Sequence, residues 1–270
     1  DAVKDLDGLR TAEWRHLLIL VHGFNNSETQ AKQSYETFVG LLSDNLKQSR
    51  VAPDAVAKLH WPGNEAMGPF PIFDFAGYHI DVERALQSVA PLGDFLAGLI
   101  SEGPSTRQFS FVGHSLGCRL IAETLYRLLK NSDRPRPIAV MSLMASAVPV
   151  ALAEQGQRLA SVPDAAQKVL KLYSWTDLVL RIAFPAGQSM AATTNIEPAV
   201  YVEAMGLRGN PSEFGLKISR NGNSHGSYWK DREAAAVFLA AADTTYAKPP
   251  AQNDIPDREL PSTPLPPPRQ

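Results

Sequence analysis

Apolar residues in this chain come in short blocks separated by longer stretches of helical period. HLLILVHG (16–23), QFSFVGH (108–114) and PIAVMSLMAS (137–146) are compact apolar runs bounded by polar or small residues. Runs of that length and composition predict strands buried on both faces. VAKLHW (56–61), KVLKLYSW (168–175), AVYVEAMG (199–206) and the start of GLKISRNGNSHG (215–226) predict further strands. Between them the period lengthens. Tyr35, Phe38, Leu41, Leu42 and Leu46 fall on one face of a helix from about Glu28 to Leu46. Ser27 and Gln30 have the spacing of a capping box at its start. A second helix is expected over about Asp81–Ile100. A third runs to Leu129, with Leu116, Leu120, Ile121, Leu125 and Leu128 at helical spacing, and a last one covers DREAAAVFLAAA (231–242). Strands separated by helices imply an α/β fold, a mostly parallel sheet with helices on both faces.

Two stretches depart from this alternation. WPGNEAMGPFPIFDFAGYHI (61–80) sets Phe70, Phe73, Phe75 and Tyr78 among glycines and prolines. Residues 247–270 hold eight prolines and few large apolar side chains. That tail is expected to lie outside the fold as a disordered, proline-rich segment, leaving 1–246 as one catalytic-sized domain. The longest uncharged stretch, Pro137–Ala153, is shorter than the roughly 20 apolar residues of a membrane helix and is broken by Pro149. No transmembrane segment is expected.

Composition narrows the chemistry. A formal net charge of −2 over 270 residues makes nucleic acid a poor partner. The single cysteine, Cys118, excludes an intramolecular disulfide and a cysteine metal cage, and its place just inside a helix suits packing. No metal or cofactor site is expected.

Gly113-His114-Ser115-Leu116-Gly117 is a G-x-S-x-G motif between an apolar strand and an amphipathic helix. A serine nucleophile on such an elbow needs small residues two before and two after it, because neighbouring chain passes closely. The helix that follows directs its positive end at a developing oxyanion. One oxyanion donor is expected from the Leu116 amide. The other is expected from the loop after HLLILV, with Phe24 the first choice and Asn25 the second. His22 reads as structural there, tying the loop by hydrogen bonds. Asn25-Asn26-Ser27 matches a glycosylation sequon but is discounted beside that loop.

The acid and the histidine follow such a nucleophile in chain order. Of six histidines only His225 comes after Ser115, in a polar turn before the last helix. Asp177 directly follows the strand KVLKLYSW and is the expected acid, ahead of Asp133, Asp164 and Glu203. In the expected mechanism His225 takes the Ser115 proton and Asp177 orients His225.

These motifs resemble the alpha/beta-hydrolase superfamily. LVHGFNNSETQAKQSYETF resembles the bacterial hydrolases of unknown function marked by a V-H-G-[FY]-N-N-S oxyanion loop. His60-Trp61-Pro62, Tyr78, His114-Ser115-Leu116-Gly117 and His225 with Tyr228 match that branch over about residues 15–242. Ala145-Ser146-Ala147-Val148 departs from its usual Ala-Pro-Asp-like turn. The resemblance implies an esterase-like hydrolase without an assigned substrate.

The leading expectation is a carboxylic-ester hydrolase working through an acyl-enzyme on a small-molecule ester or lipid. Phe70, Phe73 and Tyr78, with Phe184-Pro185, are the expected walls of an apolar pocket. The alternatives are a lipase or phospholipase, including a secreted bacterial effector, an acyltransferase, and a binding protein on a dead scaffold whose proline-rich tail is a partner ligand. A dehalogenase or epoxide hydrolase is disfavoured, since those place a carboxylate at the elbow. The opening DAVKDLDGLR lacks a basic segment followed by an apolar one. That leaves the compartment open between bacterial cytoplasm and export after removal of an N-terminal segment.

Overall fold

The computed structural model describes Leu9 and residues 12–45, 53–63, 78–103, 106–131, 138–193 and 202–246. Six strands form one all-parallel sheet in the order β2-β1-β3-β4-β5-β6. They are β1 (His16–Val21), β2 (Ala55–Leu59), β3 (Gln108–His114), β4 (Ile138–Met144), β5 (Ala166–Tyr173) and β6 (Leu216–Ser219). Every residue of β1 and β4 is buried, as expected for strands covered on both faces. The edge strands are more open: β2 alternates half-buried and exposed residues, β6 is mostly exposed, and Val56 of β2 and Leu216 of β6 are exposed.

The long helices are α1 (Glu28–Asn45), α2 (Tyr78–Glu102) and α3 (Leu116–Asn131). The short α4 (Val150–Ala153), α5 (Phe184–Thr193) and α6 (Met205–Arg208) follow, then α7 (Arg232–Tyr246). The chain steps leftward from β1 to β2, then rightward to β3 and β4. Right-handed crossovers therefore put α1 on one face and α2 and α3 on the other. In agreement, α1 packs with α7 and α2 with α3. The α1 face seals itself with Tyr35, Phe38 and Leu42, where Tyr35 and Phe38 meet the edge of the Trp229 ring. Each such buried side chain contributes about 2 kcal/mol. The Ser27–Gln30 box is formed: the Ser27 amide donates to Gln30 Oε1 at 2.9 Å and the Gln30 amide to Ser27 Oγ at 3.3 Å.

The reversal of direction leaves a switch point between β1 and β3, and ligands of open α/β sheets bind at the carboxyl ends there. Val21 is level with Gly113, so the loops after both strands begin side by side.

One expected strand is not formed among the described residues. Of AVYVEAMG, residues 202–204 are joined to the fold by a single antiparallel bridge, Ala204 to Pro149, and Met205–Arg208 is helical. Gly206 lies so close to Ala145 and Ser146 that a Cβ there would overlap their backbone. The apolar alternation records that tight packing rather than a ladder. Phe70, Phe73, Phe75, Leu46, Asp133, residues 199–201 and the tail 247–270 lie outside the described residues. Among the described residues no helix is long and apolar enough to cross a membrane.

Candidate active site

Ser115 joins β3 to α3 with φ at +53°, a left-handed conformation that costs a non-glycine residue about 1–3 kcal/mol. The surroundings enforce it. The Ser115 amide donates to Met144 O at 3.0 Å, and its carbonyl accepts from the amides of Cys118 and Ala147 at 3.0 and 3.1 Å. A Cβ on Gly113 would meet Ile121 Cδ1 at 2.5 Å, and one on Gly117 would overlap the carbonyl of His22. The motif's glycines are there because backbone and side chain already occupy that space.

The loop after β1 approaches just as closely. A Cβ on Gly23 would lie 2.7 Å from Ser115 Cβ. His22 holds this loop. Its Nδ1 lies 2.8 Å from Gly23 O, which can only accept, so Nδ1 carries the hydrogen. Nε2 then accepts the Trp61 amide at 3.2 Å, while the Trp61 indole donates to His22 O at 2.8 Å. The Tyr35 hydroxyl accepts the His22 amide and donates to Leu59 O, both at 2.6 Å, tying the ends of β1 and β2. Burial above all lowers the His22 pKa to about 4, so the ring is neutral. Asn25 follows with φ at +52°, and Asn26 Nδ2 donates to Phe24 O at 2.8 Å.

His225 stands between Ser115 and Asp177. Its Nε2 is 2.9 Å from Ser115 Oγ and its Nδ1 2.8 Å from Asp177 Oδ2. Asp177 is fully buried, and its other oxygen accepts the amides of Val179 and Leu180 at 3.0 and 3.1 Å. The acid thus starts the π-helical segment Val179–Ala183 that runs into α5. The acid loop and the histidine loop are bonded to each other. Ser174 Oγ donates to Asn223 O at 3.2 Å and lies 2.8 Å from Thr176 Oγ1, which accepts the Gly222 amide at 3.4 Å. The base of the histidine loop is closed by Arg220, which grips both oxygens of Asp231 at 2.7 and 2.9 Å and also pairs with Glu233. Burial raises the Asp231 pKa, but the bonds from Arg220 and Asn223 outweigh it and hold the carboxyl below its usual value.

A cavity of about 270 Å³ opens onto Ser115 and His225. That is near the lower end of small-molecule sites, roughly 300–1,000 Å³. Val179, Leu180, Ala183 and Phe184 form one wall, with Phe24 and Tyr78 on another. Phe24 and Phe184 both meet Tyr78 edge-on, at 5.7 and 6.1 Å between centroids. Leu116, buried, opens α3, where the first amides have no intrahelical acceptor.

Of the residues expected to act, Ser115, Asp177 and His225 are brought together, and Phe24 and Tyr78 line the same cavity. Phe70 and Phe73 fall outside the described residues. Asp164 is exposed in a 3-10 turn after α4. Cys118 is buried, donates to Met144 O, and has its thiol pKa pushed up by burial. Among the described residues no group of three or more His, Cys, Asp or Glu is placed to hold a metal. Sequence reading missed Tyr35, Ser174, Thr176 and the Arg220–Asp231 pair, because each acts on a residue far away in the chain. Only the helical face of Tyr35 was signalled.

An all-parallel sheet with a strained serine at the strand-to-helix turn beside its switch point defines the class: an alpha/beta hydrolase. The model of a family described as "Alpha/beta hydrolase of unknown function (DUF900)" matches residues 3–201, and the chain belongs to that family. The match includes Ser115 and Asp177 and ends before His225. No curated protein matches. Similar solved structures include Arabidopsis thaliana SOBER1, at 15% identity over 86% of this chain and 99% of that one, with a TM-score of 0.47. An esterase of Pyrobaculum calidifontis is 14% identical over 88% and 79%, TM-score 0.45. An uncharacterized protein of Bacillus cereus ATCC 10987 is 15% identical with TM-score 0.46. That match covers 87% of this chain but only 61% of the other, less than two thirds of its length.

Proposed function

We propose that this alpha/beta hydrolase is a serine esterase that works through an acyl-enzyme. One observation carries the reading: the continuous chain from Ser115 Oγ through both nitrogens of His225 to buried Asp177, at the edge of an apolar cavity. In the proposed reaction Ser115 Oγ attacks the ester carbonyl as its proton passes to His225 Nε2. Asp177, accepting from Nδ1, stabilises the imidazolium. The amides of Leu116 and Phe24 receive the oxyanion. Collapse breaks the ester bond, and His225 returns the proton to the departing alcohol. Water, deprotonated by His225, then attacks the acyl-enzyme; the bond to Ser115 Oγ breaks, His225 returns the proton to Oγ, and the acid is released. The wall from Val179 to Phe184 suits an apolar acyl group.

The test is labelling by a fluorophosphonate probe together with turnover of esters of rising chain length. Labelling is expected for the wild type. It should be lost in Ser115→Ala and reduced by at least about 10,000-fold in rate in His225→Ala. A folded wild type that takes no label would reject the esterase and favour a binding protein on this scaffold.

A further inference from the structure

His114, between the glycine and serine of the elbow, has no part in the steps above. It ends β3, is 5% exposed, and its ring lies 4.8 Å from the His225 ring, with Tyr228 and Trp229 also against it. His114 Nε2 is 2.6 Å from the backbone oxygen of His225. A carbonyl oxygen only accepts, so Nε2 carries the hydrogen. Nδ1, left with the lone pair, is buried without a hydrogen-bond partner and faces Gly23, where a Cβ would stand 3.0 Å from it. Burial first, and the neighbouring His225 second, lower the His114 pKa to about 3. The ring is therefore a neutral donor near neutral pH.

The loop that bears His225 needs such an anchor. His225 opens a 3-10 segment, and Asn221, Gly222, Ser224 and Gly226 around it are exposed. Its ring must meet two partners at once, on two different loops. The Ser174, Thr176 and Arg220 bonds tie the loop to the acid side and to its own base. The His114 bond ties it to the residue next to the nucleophile.

We propose that His114 is the positioning residue for the base: by donating from Nε2 to the His225 carbonyl it sets the distance between His225 and Ser115. Nucleophile and base are then indexed to the same strand end, and movement of the outer loop does not separate them. This inference rests on the Ser115–His225–Asp177 reading.

The experiment compares His114→Gln, which keeps a nitrogen donor of similar reach, with His114→Phe, which keeps a ring without one. Fluorophosphonate labelling, kcat and KM on one short ester, and the low-field proton of the His225–Asp177 bond by NMR are measured on folded protein. His114→Gln is expected within about threefold of wild type, and His114→Phe about 10- to 100-fold slower in labelling and kcat, as for a misplaced catalytic group. KM should be unchanged and the low-field proton broadened or lost in the Phe variant. A folded His114→Phe that labels at the wild-type rate would overturn the inference. So would a folded His114→Gln as slow as His225→Ala, and that variant decides alone if the Phe variant does not fold. A wild type that takes no label overturns the esterase reading and this inference with it.

Discussion

The two loops that meet at Ser115 Oγ are held by different forces. On the nucleophile side, glycine backbone is packed against neighbouring backbone and side chains. Gly23, Gly113 and Gly117 stand where no side chain fits, and the buried histidines His16, His22 and His114 sit on the two strands involved or directly after one of them. On the histidine side, side chains hold backbone. Ser174, Thr176 and Asn223 cross between loops, and Arg220 with Asp231 closes the base. The first arrangement tolerates almost no change of residue size. The second tolerates size but depends on charge and hydrogen bonding.

Acid should separate the two sides most strongly. Burial lowers His16 and His22 to about 4 and His114 to about 3, against an ordinary 6.5. Between those limits the unfolded chain binds protons that the folded chain refuses. Their contribution is complete above pH 6.5 and is lost as pH falls toward 4, by about 1.4 kcal/mol per proton per pH unit. Asp231 is also shifted down, but from the ordinary carboxylate value, so its clamp is complete above that value and is lost only as pH falls through the lowered one, in a more acidic window than that of the histidines. Denaturant titrations from pH 7 to 5 should show wild-type stability falling by several kcal/mol. The difference between wild type and Asp231→Ala should stay flat over that range, and a difference that shrinks would break the contrast.

A smaller effect is expected from Gly117→Ala. The new methyl group meets the carbonyls of His22 and Val21, so a loss of about 3 kcal/mol or more is expected in a denaturant melt. A variant as stable as wild type would show that the two loops can part. Smaller again is Asp231→Ala, which frees Arg220, Asn223 and the Glu233 amide. A loss of about 2 kcal/mol is expected, with kcat falling more than KM changes.

The same contrast explains what was legible in the sequence. Approach this close admits only glycine, so G-x-S-x-G and His22-Gly23 announce themselves. Fully buried strands do so too, through unbroken apolar runs. Asp177 and His225, which the structure brings to Ser115, were expected from chain order and from the scarcity of histidines after Ser115, not from a local pattern. The clamp of Arg220, Asn223 and Asp231 left no trace, because Asn and Asp in a turn look the same whether they hold a neighbour or face water. AVYVEAMG misled for a related reason. A short apolar run reports burial, and Ala204, Met205 and Gly206, at the start of a single turn of helix packed against β5 and the residues after β4, are buried without forming a strand.

Asp177 faces both ways, with one oxygen on His225 and the other on the amides that begin the Val179–Phe184 wall. In the proposed esterase, turnover and selectivity are therefore inherited together. A lineage that drifts at the acid redraws its substrate range in the same step, and an engineer inherits the same linkage. Asp177→Asn can keep the wall while losing the base, whereas Asp177→Ala forfeits both. Widening the site without touching the rate is work for Tyr78, which rests on Gly187 and answers to neither oxygen.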